Sequence, residues 1–181
     1  MLKRVLIASA ILTLVIGPVT YAEDLESVLM LNASQIAMIR TNCQSVQATL
    51  TGIHSSDALS RVHLGQEHET ISTKYMAPMN SRVALAKLDG VALTKTTVEY
   101  NKQIDEFRSL YQQYEQTMLR AMQMKCSDQP VTFYDTIILA RSQRAAVREK
   151  VLSLAGLVKT YRDGVETIRM QVQAKTGSYT R

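Results

Sequence analysis

The feature that most constrains this chain is an apolar side chain at every third or fourth position over about forty residues near its C-terminal end. The run reads Phe133, Ile137, Ala140, Arg144, Val147, Val151, Leu154, Val158, Tyr161, Val165, Ile168 and Val172, and only Arg144 is charged. That period places one face of an α-helix inward. Alternating steps of four and three keep the face in line along a gently supercoiled rod. At 1.5 Å per residue the rod is about 60 Å long, more than a compact domain of this mass needs. A lone helix is marginal in water, so burial of the stripe must supply most of its stability. The rod therefore needs neighbours of similar length.

The sequence supplies them. A segment over roughly 93–125 carries Leu93, Thr97, Tyr100, Ile104, Phe107, Tyr111, Tyr114, Met118 and Ala121 at the same spacing. Its four aromatics can bury large area on one face. An earlier segment carries Leu25, Leu29, Asn32, Ile36, Ile39, Cys43, Val46, Leu50 and Ile53, with Asp24 or Ser34 as candidate caps. Gly52 and the polar run HSSD at 54–57 predict its end, and Ser56 or Asp57 can cap a second helix reaching about Leu88. That helix has the weakest stripe (Leu64, His68, Ile71, Tyr75, Pro78, Arg82, Leu85), and Pro78 predicts a kink near 74–78. Asp89-Gly90 and the run Cys126 to Pro130 read as turns. Low glycine and proline and the absence of tryptophan fit helix over sheet. The expected fold is all-α: an elongated antiparallel three- to four-helix bundle with coiled-coil packing.

The first residues, MLKRVLIASAILTLVIGPVTYA, read as a secretory signal. Lys3 and Arg4 precede an apolar run that Gly17-Pro18 breaks, and Thr20-Tyr21-Ala22 offers small residues to a peptidase. The run is too short for an ordinary membrane span. Cleavage after Ala22 would leave a bundle domain over 23–176, a frayed tail over 177–181 and no stable membrane span. An uncleaved anchor is the alternative. The expected location is extracytoplasmic: secreted, periplasmic or at the cell surface.

Export bears on the two cysteines, Cys43 and Cys126. An exported pair forms a disulfide more often than not. Buried free thiols are the second reading and a ligand or nucleophile the third, since no histidine is placed near either one to act as a base. A bridge closing about eighty residues would be worth roughly 4–5 kcal/mol. One point weighs against it. With a turn near 53–57, Cys43 would lie roughly 15 Å above that turn, and Cys126 would have to sit at that level.

Other candidate sites have plainer readings. His63 and His68, five apart, diverge by about 140° around a helix, and two ligands are too few for a zinc site. Met76, Met79, Met118, Met122 and Met124 could bind Cu(I), but methionine more often fills gaps in helical cores. Arg141, Arg144 and Arg148 form a stripe. Salt bridges inside the bundle are the first reading, with Tyr111 opposite Arg144 and Glu115 and Glu106 within a few turns. A contact surface for an anionic ligand or partner is the second. No Ser/His/Asp set, glycine-rich phosphate loop, CxxC or carboxylate pair stands out, so neither an enzyme nor a metal or other cofactor is expected. The formal net charge is +5, and residues 130–181 hold nine basic against four acidic side chains. That balance suits a protein or an anionic envelope polymer, with nucleic acid a poor fit and self-association left open.

The "NC" of the first segment, the "KC" before the last bend and the helix "FYD…LARSQRAAVREKVLSL" give the chain a family likeness. It resembles small exported all-helical proteins of candidate-phylum bacteria such as the Saccharibacteria, which also pair a signal peptide with a two-cysteine coiled-coil bundle. The resemblance implies a compartment and an architecture and brings no activity with it. The expected role is a non-enzymatic envelope module binding a partner along a helical rod. A holdase chaperone of the Skp type is the alternative, although no strand segment is present to build a trimerisation barrel.

Overall fold

The computed structural model describes residues 31–177; the signal segment, Leu25, Leu29 and the tail beyond Gly177 lie outside the described residues. All its regular structure is helical. Helix α1 spans Ala33–Thr70, a π-helical stretch spans Ile71–Met76, and α2 spans Ala77–Leu85. These three run on as one rod. Helix α3 spans Val91–Gln123 and α4 spans Pro130–Gly177. With 48 residues, α4 is about 70 Å long. The chain runs up, down and up again: three rods, with α3 antiparallel to both others. Packing is closest between α3 and α4, whereas the first rod touches α4 sparsely.

The turn expected at 53–57 is absent. Gly52 and His54–Asp57 are helical, and an added Cβ at Gly52 would meet nothing within 4 Å. Local polar residues can leave a helix when their side chains bond the backbone elsewhere. Here they are held inside it: the Thr51 hydroxyl donates to the Gln47 carbonyl and the Ser60 hydroxyl to the Ser56 carbonyl. Asp57 caps nothing and faces α3 and α4 instead. The helix begins at Asn32, whose side chain accepts from the Gln35 amide while Gln35 accepts from the Asn32 amide, both at 2.9 Å. This reciprocal cap takes the place expected of Ser34, while Asp24 lies outside the described residues, and it explains why Asn32 interrupts the apolar stripe.

The irregularity near Pro78 is a π turn rather than a break. Proline has no N–H, and its ring collides with the carbonyl four residues back. Widening the preceding turn avoids both problems, and the Ala77 amide reaches back five residues to the Ser72 carbonyl. The extra residue also advances the buried face by one position. Ser72, Met76 and Val83 are buried where Ile71, Tyr75 and Arg82 were expected, and Tyr75 and Leu85 are exposed.

Beyond Leu85 the chain reverses through a helix stop of the Schellman type. The Leu88 amide bonds the Val83 carbonyl and the Lys87 amide bonds the Ala84 carbonyl, and Lys87 has a positive φ of 52°. Such positions ordinarily take glycine. On α3 every residue of the expected stripe is buried. Gly164 of α4 lets α3 come close: a Cβ there would stand 2.7 Å from Leu93 Cδ2. Around the π turn a polar chain crosses all three rods. The Tyr161 hydroxyl lies 3.0 Å from the Met76 carbonyl and 2.9 Å from Asn80, whose amide donates to Thr97 at 2.8 Å. Buried polar groups satisfied in this way fix register as well as adding stability.

Candidate functional site

The two cysteines meet. Cys43 and Cys126 form a disulfide with their Cα atoms 5.6 Å apart, and Cys126 is fully buried. The level mismatch anticipated from a turn at 53–57 vanishes because that turn does not exist. The first rod runs past the α3–α4 bend, so Cys43 stands beside Cys126. One turn along, the Gln47 side-chain amide donates to the Met122 and Met124 carbonyls at 3.0 and 2.7 Å. It thereby serves carbonyls that the end of α3 would leave unpaired. Met118, Met122, Met124 and Leu50 pack around this end, while Met76 and Met79 pack in the core near the π turn.

The first rod and α4 stand apart, and an open trough lies between them that runs past the level of the disulfide. The largest of its three hollows, about 540 Å³, is floored by Phe107, Tyr111 and Tyr114 of α3 and edged by Arg61 on one side and Arg141, Arg144 and Arg148 on the other. A second hollow of about 400 Å³ shares Tyr114, Arg141 and Arg144 with the first. A third of about 330 Å³ shares Val46, Ile137 and Arg141 with the second. The shared walls make one trough.

At its centre is Asp57. Its carboxylate accepts from Arg144 Nε at 2.7 Å and Arg144 Nη2 at 2.8 Å, a two-pronged pairing, and from the Tyr114 hydroxyl at 2.6 Å. Burial works to raise the carboxyl's pKa. The hydrogen bonds from Arg144 and Tyr114, with the guanidinium charge, outweigh it and hold the group below its ordinary value. Burial and the Asp57 acceptor push the Tyr114 phenol upward. The Arg61 guanidinium lies 4.9 Å from the centre of the Tyr111 ring, a cation–π arrangement. Among the described residues the buried Tyr111 hydroxyl and Arg61 Nε have no hydrogen-bond partner of good geometry. Burial also raises the Tyr111 pKa, which Arg61 moderates.

The structure thus divides the arginine stripe. Arg144 is tied inside the bundle, but to Asp57 of the first rod rather than to Glu106 or Glu115. Glu106 is held by Lys150 at 2.6 Å, and Glu115 stands 3.9 Å from His54. Arg141 and Arg148 are exposed, line the trough, and have no ion-pair partner among the described residues. His63 is exposed; His68 is buried, its Nδ1 2.7 Å from the Tyr100 hydroxyl. Burial lowers the His68 pKa and pushes Tyr100 up to about 12. Among the described residues no group of three or more His, Cys, Asp or Glu side chains is placed to hold a metal, and no helix is long and apolar enough to cross a membrane.

Asp57 and Arg61 were missed because a capping role was assigned to the HSSD run. A signal did exist. From Cys43 the three-four spacing continues in phase through Val46, Leu50, Ile53, Asp57, Arg61, Leu64 and His68, so both polar residues sit where the buried seam passes. Compared with protein-family models, curated proteins and solved structures, the chain finds no match.

Proposed function

We propose that this protein is a non-enzymatic, exported interaction module of the cell envelope, whose three rods pack in the coiled-coil manner and bind a partner along their length. The observation that carries this reading is the trough, where two arginines without an acidic partner among the described residues edge an apolar floor. Ordinary bundle grooves close by side-chain interdigitation. This one stays open between two parallel rods whose ends the disulfide and the 86–90 turn fix. The signal-like N-terminus and the Cys43–Cys126 bridge support export, since such bridges persist in oxidising compartments. The likeness to exported two-cysteine helical proteins agrees with it. Nothing in the trough combines a nucleophile with a base, and its one shielded carboxylate is already engaged by Arg144 and Tyr114.

The test is capture by the oxidised protein from envelope extract of its own host, beside an aggregation assay with an unfolded client. A module holds one partner at near-equal amounts and leaves aggregation unchanged. Suppression of aggregation at stoichiometric amounts would instead establish the holdase reading. Capture of nothing beyond the control would refute partner binding.

A further inference from the structure

We infer that the trough between the first rod and α4 is the seat for a single acidic amphipathic helix, supplied by a partner protein and completing the three rods to four. This rests on the interaction-module reading and specifies the site and the chemistry of its occupant. Length is the first argument. The connected hollows extend from Leu31 to Leu64 along the first rod, about 50 Å at 1.5 Å per residue, or the span of a helix of roughly 33 residues. A small anion would occupy one hollow and leave the rest empty. Lining is the second argument. Ile39 and Val46 of the first rod and Ile137 and Ile138 of α4 continue the apolar lining past the level of the disulfide, and Ile138 is 41% exposed. A hydrophilic polyanion would leave that surface wet, whereas an apolar helical stripe covers it.

Charge is the third argument. Among the described residues Arg61, Arg141 and Arg148 edge the trough without an ion-pair partner and outnumber Glu149, the other carboxylate of the lining, while Asp57 is neutralised by Arg144. Complementarity asks for acidic residues flanking the incoming apolar stripe. The same charge disfavours a second copy of this chain. Its formal net charge is +5, and trough-to-trough pairing would bring like-charged edges together.

The test uses the oxidised full-length protein and a fluorescein-labelled probe peptide of about 33 residues, matched to the trough at 1.5 Å per residue, with leucines at three-four spacing flanked by glutamates. Comparison probes are the same peptide with lysine for glutamate, a polyglutamate of equal length, and phosphatidylglycerol vesicles. The expected result is saturable binding of the acidic amphipathic peptide, with the lysine peptide and polyglutamate at least about tenfold weaker. Arg141→Glu/Arg148→Glu and, separately, Ile138→Asp should each weaken the acidic peptide about tenfold or more without changing helical content. Absent binding, equal binding of polyglutamate or of the vesicles, or indifference to both variants would overturn the inference. If the partner captured from envelope extract binds the Arg141→Glu/Arg148→Glu protein undiminished, the trough is excluded as its seat while the module reading survives.

Discussion

The Asp57 node offers a perturbation whose size follows from its contacts. Asp57→Ala removes one carboxylate from two neighbours of different exposure. The Tyr114 residue is only 2% exposed, so its hydroxyl cannot turn to water; leaving a buried hydroxyl unpaired costs about 1–3 kcal/mol. The Arg144 side chain is 57% exposed and can rehydrate, so its loss is about 0–1 kcal/mol. The sum is about 1–4 kcal/mol, or a fall in Tm of about 2–15 °C for a chain of this size. Tyr114→Phe alone should cost about 1 kcal/mol. In the Asp57→Ala background it should cost nothing or restore stability, because it deletes the orphaned hydroxyl. Urea unfolding of the four proteins completes the double-mutant cycle, with an expected coupling of about 1–2 kcal/mol. The pH dependence has a definite sign. A carboxyl held below its unfolded value contributes stability that is fully present above about pH 4 and is lost as pH falls through the folded value. The gap between wild type and Asp57→Ala should therefore narrow under acid. Additive costs, or an Asp57→Ala protein within about 0.5 kcal/mol of wild type, would refute the reasoning.

Replacing both Cys43 and Cys126 by serine should cost about 4.5 kcal/mol of loop-closure entropy, read as a fall in Tm of about 10 °C or more; thiol titration of the native protein should find no reactive cysteine. Lys87→Gly relieves a side chain in the left-handed region and should stabilise by about 0.5–1 kcal/mol, measured as a higher urea midpoint. Gly164→Val should lower Tm, because its Cβ would press on Leu93 Cδ2 at 2.7 Å; a Tm equal to wild type would mean that α3 and α4 do not approach closely there.

The α3 and α4 seams were legible because unbroken periodicity and turns agreed there. Leu93 through Ala121 on α3, and Phe133, Ala140, Leu154, Tyr161 and Ile168 on α4, are buried as the spacing requires. The first rod was harder to read. Gly52 and the HSSD run are local turn signals, and what overrides them is Asp57 meeting Arg144, 87 residues away. No window of neighbouring residues contains that contact. The π turn misled for another reason: one added residue per turn slid the buried face from Tyr75 to Met76, and a fixed period cannot register it. The arginine stripe was visible, but its division into a tied Arg144 and untied Arg141 and Arg148 depends on which carboxylates the other rods bring alongside. The trough was invisible for the same reason, since it exists only where two parallel rods part.

The continuity of the first rod underlies the disulfide, the Asp57 node and the trough together. It can be measured with spin labels at the exposed positions Ala48 and Ser81, with the native cysteines left bridged. An unbroken helix places the two sites about 50 Å apart, at 1.5 Å for each intervening residue. A hairpin at 54–57 would fold them back to about 30 Å. A pulsed dipolar distance distribution centred near the longer value is what the account requires, and one centred near the shorter would contradict it.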